Sequence, residues 1–282
     1  LPDDPAACFR VLSSHPVLSR RLRLVGFSAV GTKRGLLVCF RPDAVTVEGI
    51  AEEGAKCREA GASILHTHCL ADIGDECGTK GVGKWADIIN ETHKHSDILV
   101  QCGMSTLTLA QRIEAFEAKA DMVSIMLSHH DEDFAEFNND VLHPMEELVE
   151  YAKACRKYRV KPEFEVWHAG SIWNLNYLIS QGLLDGPYIC SLFFGWPGGT
   201  WTPPTVEEYM YRRRLMPENC QCVVSIMGEE QIDVAVAAIR NGDGVRVGTE
   251  DHPINQQGKL CNTVELVREM ANISRCLGRE VA

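Results

Sequence analysis

The feature that most constrains this chain is an alternation of eight short apolar runs, each followed by a segment with helical spacing. The runs occupy residues 22–29, 63–67, 97–102, 121–127, 162–167, 188–194, 220–226 and 245–248. They are near-continuous in aliphatic and sulfur side chains, the pattern of strands buried on both faces in a parallel sheet. Predicted helices lie between and after them, over 46–60, 85–94, 106–119, 144–158, 171–181, 205–214, 229–240 and 263–277. In the first of these Thr46 is an N-cap and Gly61 a stop, and Val47, Ile50, Ala51 and Ala55 share a face. Eight such units in 282 residues predict a single-domain α/β protein, a (β/α)8 TIM barrel over 21–282. Residues 1–20 fall outside the alternation and read as an irregular N-terminal arm. An open doubly wound sheet usually has fewer strands and a glycine fingerprint after the first. Val30-Gly-Thr-Lys-Arg-Gly35 does not match that fingerprint.

A formal charge of −11 argues against a general nucleic-acid or anionic-membrane surface, so an anionic ligand needs a local basic pocket. No apolar run approaches the ~20 residues of a membrane span. Leu1-Pro-Asp-Asp4 lacks the basic-then-apolar layout of a signal peptide, and a cytoplasmic location is expected. The twelve cysteines never fall at C-x-x-C spacing, and many sit inside apolar runs, as in Val38-Cys39-Phe40. Buried reduced thiols are expected. Cys69 and Cys77, which flank the histidines described next, are minor candidates as metal ligands.

In such barrels the chemistry sits at the C-terminal ends of the strands. The second run ends in His66-Thr-His68, and residues two apart on a strand share a face. Two imidazoles on one face make a half-site for a divalent metal that needs at least one more ligand. Arg246, Gly248 and Glu250 share a parity in the eighth run, so Glu250 can bring a carboxylate. Strand three ends with Gln101, Gly103 and Ser105, and strand four carries Ser124, with His129 and His130 beyond it. Strand five carries Glu163 and Glu165 among Phe, Val and Trp, then His168. Carboxylates directed into a barrel cost several kcal/mol unless paired or metal-bound. Either can instead salt-bridge to the helix layer, and Arg246 with Glu250 and Asp251 can be a purely structural ion pair.

At His66-Thr-His68, Lys161-Pro-Glu-Phe-Glu-Val166, Gly195-Trp-Pro-Gly-Gly199 and Val245-Arg-Val-Gly-Thr-Glu-Asp251 the chain resembles the beta-keto acid cleavage enzymes. The closing Leu277-Gly-Arg-Glu-Val-Ala282 is also similar. The resemblance implies a zinc-binding (β/α)8 barrel, usually a homotetramer. It implies condensation of a β-keto acid with acetyl-CoA to give acetoacetate and a new acyl-CoA. By motif, His66, His68 and Glu250 hold the metal, although two histidines and a carboxylate suit several divalent ions. Asp251 is the acid/base group, with Arg246 beside it to keep it ionised at neutral pH. Glu165, Ser124 and Ser105 line the substrate pocket, and the backbone amides at Gly198 and Gly199 are candidates for coenzyme A. The run Arg212-Arg-Arg214 ends a helix and reads as a complement to the helix dipole near the barrel bottom.

The chain departs from the family at Gly103-Met-Ser-Thr, where Ser-Thr-Gly-Gly is usual, and lacks the arginine of the usual H-x-H-x-R-D. Where the family carries an acidic residue against a substrate ammonium, the count lands near Lys33 or Arg34. Arg34 is therefore expected to face a keto acid with a non-cationic tail, solvent and coenzyme A being its other possible partners. Two rival readings are an amidohydrolase-type metal hydrolase and a barrel that binds a metal or metabolite without catalysis. The first needs histidines on strands five and six. His168 can supply one, but Ile189-Cys-Ser-Leu-Phe-Phe194 offers none.

Overall fold

The computed structural model describes residues 34–35, 37–40, 46–68, 81–103, 109–127, 130–131, 140–141, 143–195 and 202–281. Eight parallel strands close into a barrel. They are β1 (Leu37–Phe40), β2 (Ile64–Thr67), β3 (Leu99–Cys102), β4 (Met122–Met126), β5 (Lys161–Val166), β6 (Tyr188–Gly195), β7 (Cys220–Met227) and β8 (Gly244–Gly248). Around them run α1 (Val47–Ala60), α2 (Gly81–His95), α3 (Leu109–Glu117), α4 (Met145–Tyr158), α5 (Ala169–Ser180), α6 (Val206–Leu215), α7 (Gln231–Arg240) and α8 (Thr263–Cys276).

Side-chain caps start several helices. Thr46 Oγ1 accepts from the Gly49 amide at 3.1 Å, Thr205 Oγ1 from Glu208 at 3.2 Å, and Asn262 forms a reciprocal box with Glu265. Each such cap contributes about 1 kcal/mol. His168, collected above as a site candidate, is the N-cap of α5 and accepts from the Gly170 amide at 3.0 Å. Eight of the twelve cysteines have described side chains, and all eight are free thiols. Among the described residues no helix is long and apolar enough to cross a membrane.

The first stave corrects the sequence reading, which put it at 22–29, outside the described residues. The barrel instead closes through Leu37–Phe40, which pairs with β8 on one side and β2 on the other. Its apolar run is only five residues long, Leu36 to Phe40, and is bracketed by Gly35 and Arg41-Pro42, so its periodicity is faint. Arg34 and Gly35 precede it, in register with Glu280 and Val281 in a two-residue parallel sheet. The Arg34 backbone therefore lies at the N-terminal end of the barrel, opposite the strand termini where it was expected. The 1–20 arm also lies outside the described residues.

Strand parity sorts the interior. Leu65, Val100, Val123, Ile125, Phe164, Val166, Leu192, Phe194, Val224, Val245 and Val247 point outward into the large core shared with the helices. Inside, Ile64, Met122 and Val223 form a separate apolar cluster with Ile189, a plug at the N-terminal end. Met126, Trp167 and Phe193 form a third cluster toward the C-terminal end. Between plug and aromatics lies a band of buried polar groups: His66, Gln101, Ser124, Glu163, Glu165, Ser191, Ser225 and Arg246.

Candidate active site

His66 and His68 leave β2 together, His66 buried and His68 half-buried, with their Nε2 atoms 3.4 Å apart. Two imidazole nitrogens at about 2.0–2.1 Å from one tetrahedral ion stand roughly that far from each other. The rings lie directly over Gly103. A Cβ there would fall 2.5 Å from His66 Nε2 and 2.9 Å from His68 Cε1, so this position must lack a side chain. Burial, then the Arg246 cation and the His68 ring, hold the His66 pKa well below the usual histidine value. That keeps its imidazole neutral, the form that ligates metals.

Arg246 rises from β8 into the same space. Its Nε donates to Asp251 Oδ2 at 3.1 Å and its Nη2 to Oδ1 at 2.9 Å, and both side chains are buried. Ser225 Oγ, in register with Arg246 on β7, stands 3.4 Å from each carboxylate oxygen. The turn after β8, closed by the Asp251 and His252 amides on the Gly248 carbonyl, folds Asp251 back onto Arg246. Burial raises the Asp251 pKa above the ordinary aspartate value, even though Arg246 pulls it down. Arg246 acts in the expected downward direction. The arginine was legible in the sequence, while complete removal from water was not, and here desolvation outweighs the pair.

Glu163 and Glu165 both turn inward, and among the described residues neither forms a salt bridge to the helix layer, although the Arg112 cation on α3 attracts Glu165. Gln101 Nε2 donates to Glu163 Oε2 at 2.7 Å, joining β3 to β5. Burial first, and then the Glu165 charge, push the Glu163 carboxyl up to about 8. Trp167 Nε1 reaches Glu165 Oε2 at 3.4 Å. The Trp167 ring stacks on Phe193, with centroids 4.6 Å apart and planes 2° from parallel, and the Arg246 guanidinium lies 4.8 Å from the Phe193 centroid.

The remaining sequence candidates divide clearly. Ser124 is buried on the interior side of β4, its hydroxyl 3.4 Å from the Cys102 carbonyl. Glu250 is half-buried in the turn beyond β8. Gly248 is level with Phe40, and Phe40 with His66, so the turn leaves the barrel at the height of the histidines. Among the described residues, however, no three His, Cys, Asp or Glu side chains come together closely enough to hold a metal. The structure assembles the histidine pair and the Arg246–Asp251 pair, without joining Glu250 to the former. Ser105, Gly198 and Gly199 lie outside the described residues, as do Lys33, His129, Cys69 and Cys77. The Gly195 amide donates to the Thr202 carbonyl at 2.9 Å. Sequence reading missed Ser191, Ser225, Trp167 and Phe193 as site residues. The available signal was interior parity: each serine interrupts an apolar strand two residues past a plug residue.

The family model described as beta-keto acid cleavage enzyme matches residues 44–282. The 3-keto-5-aminohexanoate cleavage enzyme of Fusobacterium nucleatum is 29% identical over 244 residues, covering 84% of this chain and 86% of its own length. The 3,5-dioxohexanoate:acetyl-CoA acetone transferase of Paraburkholderia graminis is 23% identical over 265 residues, covering 84% and 85%. Among solved structures, ObcA in binary complex with oxaloacetate superposes with a TM-score of 0.65 at 16% identity. That alignment covers 85% of this chain and 65% of the other, so this chain spans less than two thirds of that protein, and the likeness speaks to the fold alone.

Proposed function

This chain belongs to the beta-keto acid cleavage enzymes, and on that premise we propose that it condenses a β-keto acid with acetyl-CoA, releasing acetoacetate and a new acyl-CoA. The observation that carries the reading is the buried two-point pair of Arg246 and Asp251 beside two convergent imidazoles at the barrel mouth. The names of relatives support the co-substrate, since two of them are acetyl-CoA transferases. In the exchange, R–CO–CH2–COO⁻ and CH3–CO–S-CoA become CH3–CO–CH2–COO⁻ and R–CO–S-CoA, so every atom is accounted for. Asp251, as carboxylate, takes a proton from the methylene between ketone and carboxyl and returns it to carbon later in the exchange. Arg246 holds that carboxylate in place through two hydrogen bonds, and Ser225 steadies it from β7. Glu165 and Ser124 line the pocket wall.

The donor chemistry at the histidine pair fits two ligands of a divalent ion, zinc by resemblance: His66 and His68 would hold it, and Glu250 is the third ligand by resemblance alone, since the structure does not bring it to the pair. An ion bound there supplies Lewis-acid polarisation of the keto-acid oxygens. Assembly as a homotetramer rests on the resemblance. The position of Arg34 at the far end of the barrel removes the motive for assigning it the substrate's tail.

A panel of amine-bearing, acidic and uncharged β-keto acids, incubated with the purified protein and acetyl-CoA, tests the reading. Acetoacetate and the matching acyl-CoA should appear in equal amounts, and chelator treatment should remove the activity until a divalent metal is restored. Absence of acetoacetate across the panel, with hydrolysis of an amide or ester instead, would favour the amidohydrolase reading.

A further inference from the structure

The three consecutive arginines of α6 have three different environments. Arg214 is exposed, and Arg213 pairs with buried Asp243 at 2.8 Å. Arg212 is wholly buried. Its Nη1 donates to the carbonyls of Val166 and Trp167 at 3.1 and 3.2 Å, and its Nη2 to that of Phe193 at 2.8 Å. Its guanidinium stacks 3.8 Å from the Phe194 centroid, and Glu208, one turn earlier, lies 3.3 Å from its Nε. This overturns the sequence reading of Arg212 as a dipole complement near the bottom. Its head reaches the C-terminal ends of β5 and β6, where strand carbonyls run out of ladder partners and still need donors.

A hydrocarbon of similar volume would fill the same space without the cost of burying a cation. What the planar fork adds is direction, since it fixes three carbonyls on two strands at once. Two of those carbonyls belong to Trp167 and Phe193, whose rings stack inside the barrel. Trp167 contacts Glu165, and Phe193 lies under Arg246. We propose that Arg212 is a positioning residue: by clamping the ends of β5 and β6 it sets the Trp167–Phe193 stack that seats Arg246 against Asp251. The proposal rests on the reading of Arg246 and Asp251 as the chemical pair.

The test compares Arg212→Gln and Arg212→Lys with Arg213→Gln, a neighbour whose loss also strips a buried partner, Asp243, but reaches only the N-terminal foot of β8. The readouts are melting temperature, kcat and KM on the best keto acid, and the near-UV circular dichroism band of Trp167, defined as the difference between the wild type and Trp167→Phe. Arg212→Gln should lower kcat at least about tenfold with KM within about threefold, because displaced groups chiefly harm the reacting geometry. It should also weaken the dichroism band, and Arg212→Lys should recover part of both. Arg213→Gln should lower the melting temperature while kcat stays within about twofold and the band is unchanged. Should Arg212→Gln fail to fold, Arg212→Lys against Arg213→Gln carries the same contrast. The clamp is refuted if the Arg212 variants keep the band and kcat, or if Arg213→Gln loses kcat to the same extent. An inactive wild-type protein would sink the proposed function instead, and the dichroism comparison would still decide the clamp.

Discussion

In the lower half of the barrel interior Ile64, Met122, Ile189 and Val223 pack together, whereas two residues further along the same four strands stand His66, Ser124, Ser191 and Ser225. One pleat repeat separates a dry plug from a polar band. The plug asks only for volume and apolarity, and its members are interchangeable in kind. The band asks for partners. Gln101 must meet Glu163, Arg246 must meet Asp251, and the two imidazoles must share one space over Gly103, because buried polar groups left unpaired are costly. The lower half is therefore built for stability and the upper half for chemistry.

The largest expected effect comes from breaking the upper half at its charge pair. Asp251→Asn keeps shape and one acceptor but removes the proposed base, and kcat should fall by about 10²–10⁴. A fully active variant would assign the pair to structure alone. Next is the plug. Met122→Ala should cost about 2–5 kcal/mol of stability, read by denaturant titration, with kcat nearly unchanged. A parallel collapse of kcat would show that the two halves are not separable.

The smallest effect concerns pH. The Glu163 carboxyl, pushed up to about 8 in the fold from an ordinary 4.5, holds its proton where the unfolded chain has lost it. The native state then binds more protons, so this group's contribution is fullest below the unfolded value and declines as pH rises toward about 8. Glu163→Gln mimics the protonated form and should flatten the fall in melting temperature between about pH 5 and 8. An unchanged slope would move the pH sensitivity to another group.

Much of the fold was legible because seven of the predicted apolar runs coincide with barrel strands, and because caps such as Thr46 and Asn262 announce helix starts. The first stave was not, since five apolar residues between Gly35 and Arg41-Pro42 carry too little periodicity to outweigh the longer run at 22–29. At the site, His66, His68, Arg246 and Asp251 stood out as polar residues at strand ends. Ser225 and Phe193 did not, because a serine or phenylalanine in a strand is unremarked until register sets it against an arginine. Arg212 was misread for a related reason. A helix-end arginine looks solvent-facing in one dimension, and only packing reveals carbonyls within its reach.

The amino-acid order alone determined the closed barrel, the end of it that bears chemistry, and the histidine and arginine–aspartate motifs placed there. These follow from short-range periodicity and from side-chain type. Tertiary structure alone decided that burial overrides Arg246 in setting the Asp251 proton affinity, that Glu163 and Glu165 both face inward, and that Arg212 ties two strand ends together. Each of these depends on which groups water can no longer reach, and that is a property of three-dimensional neighbours remote in the chain.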